Sequence, residues 1–172
     1  MSPTAAEVQL RHPGLFVGLF AVMFCGLYAL YVLVPDSLLR DLVYHQGICV
    51  VGADVINLVA PAEQASAVGN TIVSQRAILE IVRGCDGAGA MFLLIAAVLA
   101  FPAGWKAKLG GLLGAVLFAY AVNQARVVTL YFVTAYRPEL FTALHTFDLP
   151  TLVVLLYCIA FGAWVVYTTG RR

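Results

Sequence analysis

Charge is scarce in this chain: 11% of its 172 residues are Asp, Glu, Lys or Arg, against about 25% in an ordinary soluble domain. Ten Lys plus Arg against nine Asp plus Glu leave a formal net charge of +1. No basic stripe is present, so nucleic acid is not expected as a partner. The four cysteines form no C-x-x-C pair, which argues against a thiol–disulfide oxidoreductase. Neither a phosphate-cradling glycine loop nor an H-E-x-x-H motif occurs. His45 and Cys49 are four residues apart, as neighbours on a helix face are, but no further ligands complete a tetrahedral set, so no metal and no cofactor is expected. Internal repeats, low-complexity tracts and linkers are also missing. The length allows one domain, and residues 1–172 read as a single membrane domain.

What the chain does have is apolar: 62% of its residues, at a mean hydropathy of +0.93. Uncharged runs extend from Pro13 to Pro35, Gly87 to Trp105, Leu109 to Ala125 with an apolar continuation past Arg126, and Leu149 to Gly170. A bilayer crossing takes about 20 residues. The expected fold is therefore an all-α integral membrane protein with four transmembrane helices at about residues 14–34, 87–104, 109–134 and 149–169. The first run exceeds the apolar stretch of a secretory signal and no small-x-small cleavage site follows, so it reads as an uncleaved anchor. Lys106 and Lys108 crowd a short connector, and Arg11, Arg171 and Arg172 flank the outermost runs. The positive-inside rule then puts both termini in the cytoplasm, with Arg40, Arg76, Arg83 and Arg137 on the other side. Residues 36–86 form an outer segment. Ser37 to Ala60 suits a helix lying at the interface, and Val68-Gly69-Asn70-Thr71 is a turn signal followed by β-favouring residues to Val82, which predicts a short hairpin. Gly14 with Gly18, and Gly110 with Gly114, are read as helix-packing positions.

Some residues do not fit a passive bundle. Arg126 interrupts an apolar helix, at a cost of about 2.5 kcal/mol or more in mid-membrane, and marks a functional site by default. Eighteen helical residues above Lys108 lift it by about 27 Å, near the outer edge of the hydrocarbon. The same ruler carries Cys85 about 31 Å above Lys106. His145 precedes the fourth run in an outer loop, so one Cys, one Arg and one His from three elements converge on one layer. At a helix start, free backbone N–H groups and the macrodipole stabilise a thiolate, which makes Cys85 a candidate nucleophile. His145 is the candidate general base and acid, and Arg126 the candidate oxyanion or carbonyl holder. Asn123 shares a helix face with Arg126 and is a candidate for orienting the guanidinium or binding substrate. Asp86 is either a substrate-orienting group or an ordinary helix cap. Simpler readings stand beside these. Arg126 pairs with Asp86, Glu80 or Asp148 to pin helices, Asn123 makes an interhelical hydrogen bond, and Cys25 and Cys158 are small hydrophobes. A Cys49–Cys85 disulfide is compatible with an oxidising outer compartment and would cap the nucleophile.

From about Ile78 to Tyr167 the pattern resembles the exosortase/archaeosortase family of membrane cysteine transpeptidases. The resemblance is carried by GCDG around Cys85, FPAGWKAKLGG from Phe101, N-x-x-R from Asn123 to Arg126 with the VVTLY after it, and PELFTALH ending at His145. The compact span set resembles the short forms called exosortase H or M. The resemblance implies that Cys85, Arg126 and His145 are the catalytic residues. It also implies that the substrates are secreted proteins whose C-terminal tail joins a recognition motif, a transmembrane helix and a basic cluster. Cleavage would occur at the outer face of a bacterial inner membrane, among its lipids, followed by acyl transfer or release; the oligomeric state is not legible. Asp86 departs from the Ser or Asn common after the family's cysteine. The alternative is a non-enzymatic assembly or transporter-subunit protein in which Arg126 is structural.

Overall fold

The computed structural model describes residues 13–170; Arg11, Arg171 and Arg172, used above to orient the chain, lie outside them. Helix α1 spans Pro13–Leu33 and α2 spans Asp36–Val59. A three-stranded antiparallel sheet follows, with β1 at Ser66–Val68, β2 at Thr71–Val73 and β3 at Ile78–Glu80, in the order β1-β2-β3. Helix α3 spans Ala88–Ala100, α4 Trp105–Tyr136 and α5 Pro138–Thr169.

Four helices are long and apolar enough to cross a membrane, but they are not the four expected. Gly14–Leu33, Trp105–Tyr136 and Pro138–Thr169 contain the first, third and fourth runs. Within the second run, 87–104, the helix has only 13 residues, about 20 Å at 1.5 Å each. Pro102 and Gly104 stop it, because the residue before a proline disfavours helical backbone. By length and composition α2, at 24 residues, is the further candidate. The interfacial placement expected for 37–60 therefore does not follow from length or composition. The hairpin becomes a three-stranded sheet that begins earlier, at Ser66, with the left-handed backbone of Gly69 at its first turn (φ 57°).

Two helices contain π-helical stretches. In α2 these are Leu39–Val50, and in α5 Leu144–Asp148. The second has a local cause: Pro150 has no N–H to give the carbonyl four residues back, and the turn before it widens. His145 accordingly sits on a helix, not in a loop.

The chain forms two compact units. The first takes in the described residues up to Leu33, Gly89–Ala119 and residues from Val154 onward; the second takes in Val34–Ala88 and Tyr120–Val153. In the first unit, rings make the interhelical contacts: Phe16 and Trp164 flank Phe161, Phe101 meets both Phe161 and Trp164, and Tyr31 meets Phe92. Gly111 leaves room for the Trp164 indole, which any Cβ there would overlap. The core of the second unit contains Ile48, Cys49, Ile56, Ile72, Val127 and Tyr131, each at most 4% exposed.

Polar ties hold the second unit's sheet and helices. The Tyr120 hydroxyl and the Gln124 amide both donate to the Gly47 carbonyl, at 2.6 and 2.8 Å, inside the π stretch of α2. Asn57 exchanges two hydrogen bonds with the Ala65 backbone, at 2.8 and 2.7 Å, and so fixes the passage from α2 to β1. The His45 Nδ1 bonds the Gly69 carbonyl at 2.8 Å.

Candidate functional site

Cys85 lies on the connection from β3 to α3, and local chemistry shapes that connection. Its N–H donates to the Val82 carbonyl at 2.9 Å, closing a four-residue turn. Gly84, at φ 89°, supplies the positive φ that the third position of such a turn requires. Arg83 holds the turn from outside: Nη2 donates to Asp36 Oδ1 at 2.6 Å and to the Val34 carbonyl at 2.8 Å. Asp86 then accepts from the Ala88 N–H at 3.2 Å. It therefore acts as the helix cap, and its charge faces the donors at the start of α3.

The three residues singled out for chemistry lie together in the second unit. Cys85 Sγ and His145 Nε2 are 3.5 Å apart, and Arg126 Nη1 donates to the Cys85 carbonyl at 3.0 Å. Arg126 is in none of the ion pairs of the described residues, which are Arg76–Glu63, Arg83–Asp36 and Arg137–Glu139; the helix-pinning partners considered for it are not realised. Its Nε is buried without a hydrogen-bond partner, as is Nδ1 of His145. The imidazole is stacked on Phe141, rings 5.2 Å apart and 9° from parallel. These two residues stand one helical turn apart, a spacing visible in the sequence but not used above.

Cys85, Arg126 and His145 meet, but not through a helix running from Cys85 to Lys106. The helical part of that stretch is Ala88–Ala100. The meeting is made by the β3–α3 turn and by the helical setting of His145.

Asn123 is buried and its Oδ1 has no hydrogen-bond partner. It does not bond Arg126. Instead its amide packs against Gly87, where a Cβ would overlap it and where φ is 81°. All four cysteines are free, Cys49 buried and Cys85 partly exposed, so the Cys49–Cys85 disulfide is not formed. No cluster of three metal-ligating side chains occurs among the described residues.

A cavity of about 280 Å³ opens beside the sulfur. One wall is the chain from Leu79 to Val82 with Cys85; the others are Val127 and Leu130 of α4, and Phe141 and His145 of α5. It is mostly apolar, with Cys85 and His145 in its lining. Such a space admits a short apolar or small side chain next to a nucleophile–base pair.

A second polar centre escaped the sequence reading. Glu63 is 3% exposed and accepts hydrogen bonds from the hydroxyls of Tyr131, at 2.7 Å, and Tyr136. Arg76 Nε lies 3.6 Å from it. The tyrosine hydroxyls, Tyr136 first, hold the Glu63 carboxyl below the usual carboxylate range, with Arg76 adding to the effect. The partners are 68 and 73 residues from Glu63 in sequence, so no local pattern announces the cluster.

No curated protein and no solved structure matches the chain. The family model of the transmembrane exosortases, however, matches residues 14–164. With the match running over nearly the whole sequence, the chain belongs to the transmembrane exosortase family.

Proposed function

We propose that this exosortase is a cysteine protease/transpeptidase that removes a C-terminal sorting tail from secreted proteins. The family is generally one of membrane cysteine transpeptidases. The observation that carries the reading is the 3.5 Å approach of Cys85 Sγ to His145 Nε2 in the lining of a cavity, with the Arg126 guanidinium on the Cys85 carbonyl.

The chemistry is acyl transfer in two halves. His145 Nε2 takes the thiol proton, and the thiolate adds to the scissile carbonyl carbon as its π electrons move to oxygen. Arg126, always charged and a multiple donor, stabilises that oxyanion; its unpaired buried Nε is a donor not engaged by the protein. Collapse breaks the C–N bond while imidazolium returns the proton to the leaving amine. The resulting thioester is attacked by water or an acceptor nucleophile, whose proton passes to His145 and then back to the Cys85 sulfur as the bond to it breaks. Asp86 contributes through the cap that sets the start of α3. Asn123 contributes by shaping the Gly87 turn.

In this proposal the termini and the Lys106–Lys108 connector face the cytoplasm of a bacterial cell, and the Cys85 side faces the extracytoplasmic space. Residues 1–172 act as one membrane domain that receives the tail's transmembrane helix from the lipid. The loop charge pattern supports that orientation.

The test is co-expression of wild type, Cys85→Ala and Arg126→Ala with a secreted protein bearing a motif–transmembrane helix–basic tail, followed by intact mass. Tail loss that needs both residues is expected, and the mass of the product distinguishes hydrolysis from transfer. Cleavage that persists in Cys85→Ala would overturn the cysteine mechanism.

A further inference from the structure

The sheet ends at an edge that opens on the site. Residues of β2 and β3 pair as Thr71 with Glu80, Ile72 with Leu79, and Val73 with Ile78. Just beyond the strand ends, the Ile81 N–H donates to the Asn70 carbonyl at 2.8 Å and the Ser74 N–H to the Ala77 carbonyl at 2.9 Å. Antiparallel ladders alternate hydrogen-bonded with non-hydrogen-bonded pairs. Ala77, Leu79 and Ile81 therefore turn their backbone groups toward β2, and Ile78 and Glu80 turn theirs away from it. No partner for those outward groups occurs among the described residues. The other edge differs: β1 packs along α2.

The free edge and the cavity are continuous. Glu80 and Val82 line the same cavity as Cys85 and His145. The chain passes from the last residue of β3 to the nucleophile in five residues, through the turn closed by Cys85 N–H on the Val82 carbonyl. Exposed strand edges are templates for a further strand, and proteins recognise extended peptides in this way, through main-chain bonds with pockets for alternate side chains.

We propose that β3 is the substrate-docking strand: the recognition segment of the tail adds to it as a fourth, extended strand, bonding the outward N–H and C=O of Ile78 and Glu80. This rests on the proteolytic reading of the site and says how it takes hold of substrate. The occupant is an extended polypeptide because the ligand has to offer donors and acceptors at the two-residue spacing of a strand, about 6.8 Å. Its alternate side chains meet different surroundings. Those turned toward the cavity face Val127, Leu130 and Phe141 and are small or apolar; those turned away face solvent and are little constrained. Backbone bonding of this kind tolerates many sequences, with selection concentrated at one or two positions.

The test exploits the alternation. Glu80→Pro deletes an outward N–H and leaves the bonds to β2 in place, as suits an edge strand; Glu80→Ala changes the side chain and keeps the backbone. With purified wild type and a purified tail-bearing protein that it cleaves, Glu80→Pro is expected to lose about tenfold or more in kcat/KM, chiefly through KM, consistent with one lost hydrogen bond plus the clash of the ring. Glu80→Ala, which keeps the outward N–H, is expected to retain at least about fivefold more kcat/KM than Glu80→Pro. Both variants should alkylate Cys85 at the wild-type rate with a small thiol reagent, reporting an intact site. Equal processing by Glu80→Pro and Glu80→Ala would overturn docking while leaving the enzyme reading intact, whereas failure of the enzyme reading shows separately, as cleavage independent of Cys85. Should Glu80→Pro lose its fold, the wild-type enzyme still decides: synthetic peptides covering the cleaved segment, N-methylated one residue at a time, should lose cleavage at alternate positions. Loss without that two-residue rhythm overturns the proposal, as does a wild-type dimer in detergent that Glu80→Pro converts to monomer, since the edge would then serve a second copy of the chain.

Discussion

The two units of this protein are held by different forces. In the first, the ties between helices are ring contacts and close approach at glycine, with few polar bonds: Lys108 to the Leu99 carbonyl at 2.7 Å and Tyr157 to the Ala119 carbonyl at 3.5 Å. In the second lie all three ion pairs of the described residues, the buried Glu63, Asp86, Asn123 and Gln124, and the four buried unpaired polar atoms. Lipid offers no hydrophobic drive to press helices together, so shape and small residues serve the first unit. The second holds polar side chains at fixed positions and leaves some of their donors and acceptors unsatisfied, as reaction centres commonly do.

That contrast can be broken at several points. The largest effect is expected at the nucleophile–base pair: Cys85→Ala should abolish tail removal, and His145→Ala should slow it by about 10²–10⁴-fold, with membrane insertion unchanged. Product mass over time measures both. Arg126→Lys comes next. It keeps the charge but loses the planar fork that reaches the Cys85 carbonyl, and an oxyanion donor lost at this kind of site costs about 10²-fold or more in kcat; little change would return Arg126 to a structural role.

Gly87→Ala tests the frame beneath the site. A methyl at φ 81° and against Asn123 should cost about 1–3 kcal/mol, read as a lower Tm in detergent. Asn123→Ala in the same chain should recover the part due to overlap and not the part due to backbone. Glu63→Gln sharpens the comparison through pH. The Glu63 carboxyl titrates lower in the folded protein than in the unfolded chain, so its contribution to stability is present above the unfolded pKa and is lost as pH falls through the folded value. The Tm of wild type should drop across that acidic window, and the drop should shrink in Glu63→Gln. The smallest effect is expected in the first unit: Leu113→Ala, at a residue 63% exposed, should stay within about 0.5 kcal/mol and leave processing unaltered.

Runs of apolar residues made α1, α4 and the part of α5 from Leu149 onward legible, whereas its start at Pro138, ahead of Pro150, was not. Helix α2 was harder to read, since Arg40, Asp41 and Asp54 interrupt the run that makes it long enough to cross. The shortness of α3 was written in Pro102 and Gly104, which a count of uncharged residues passes over. Residue types at the site could be read locally: a cysteine in RGCDGAG, an arginine among apolar neighbours. What could not be read is how they come together. That meeting depends on the Val82–Cys85 turn, with Gly84 in it and Arg83 reaching Asp36 47 residues away, and on a proline that widens α5 around His145. The Glu63 cluster and the Gly47 clamp join residues more than 65 apart, where periodicity has nothing to say.

Helix α3 also bears on the surrounding lipid. Its 13 residues advance about 20 Å, while undisturbed hydrocarbon is about 30 Å thick. In the proposed topology, where α3 crosses, the mismatch is absorbed by the turns at either end or by a dimple in the bilayer around it. Under the proposed function, bilayer thickness, set by acyl-chain length, is then a variable of the reaction, governing how far a substrate's own helix must slide before its peptide bond comes level with Cys85.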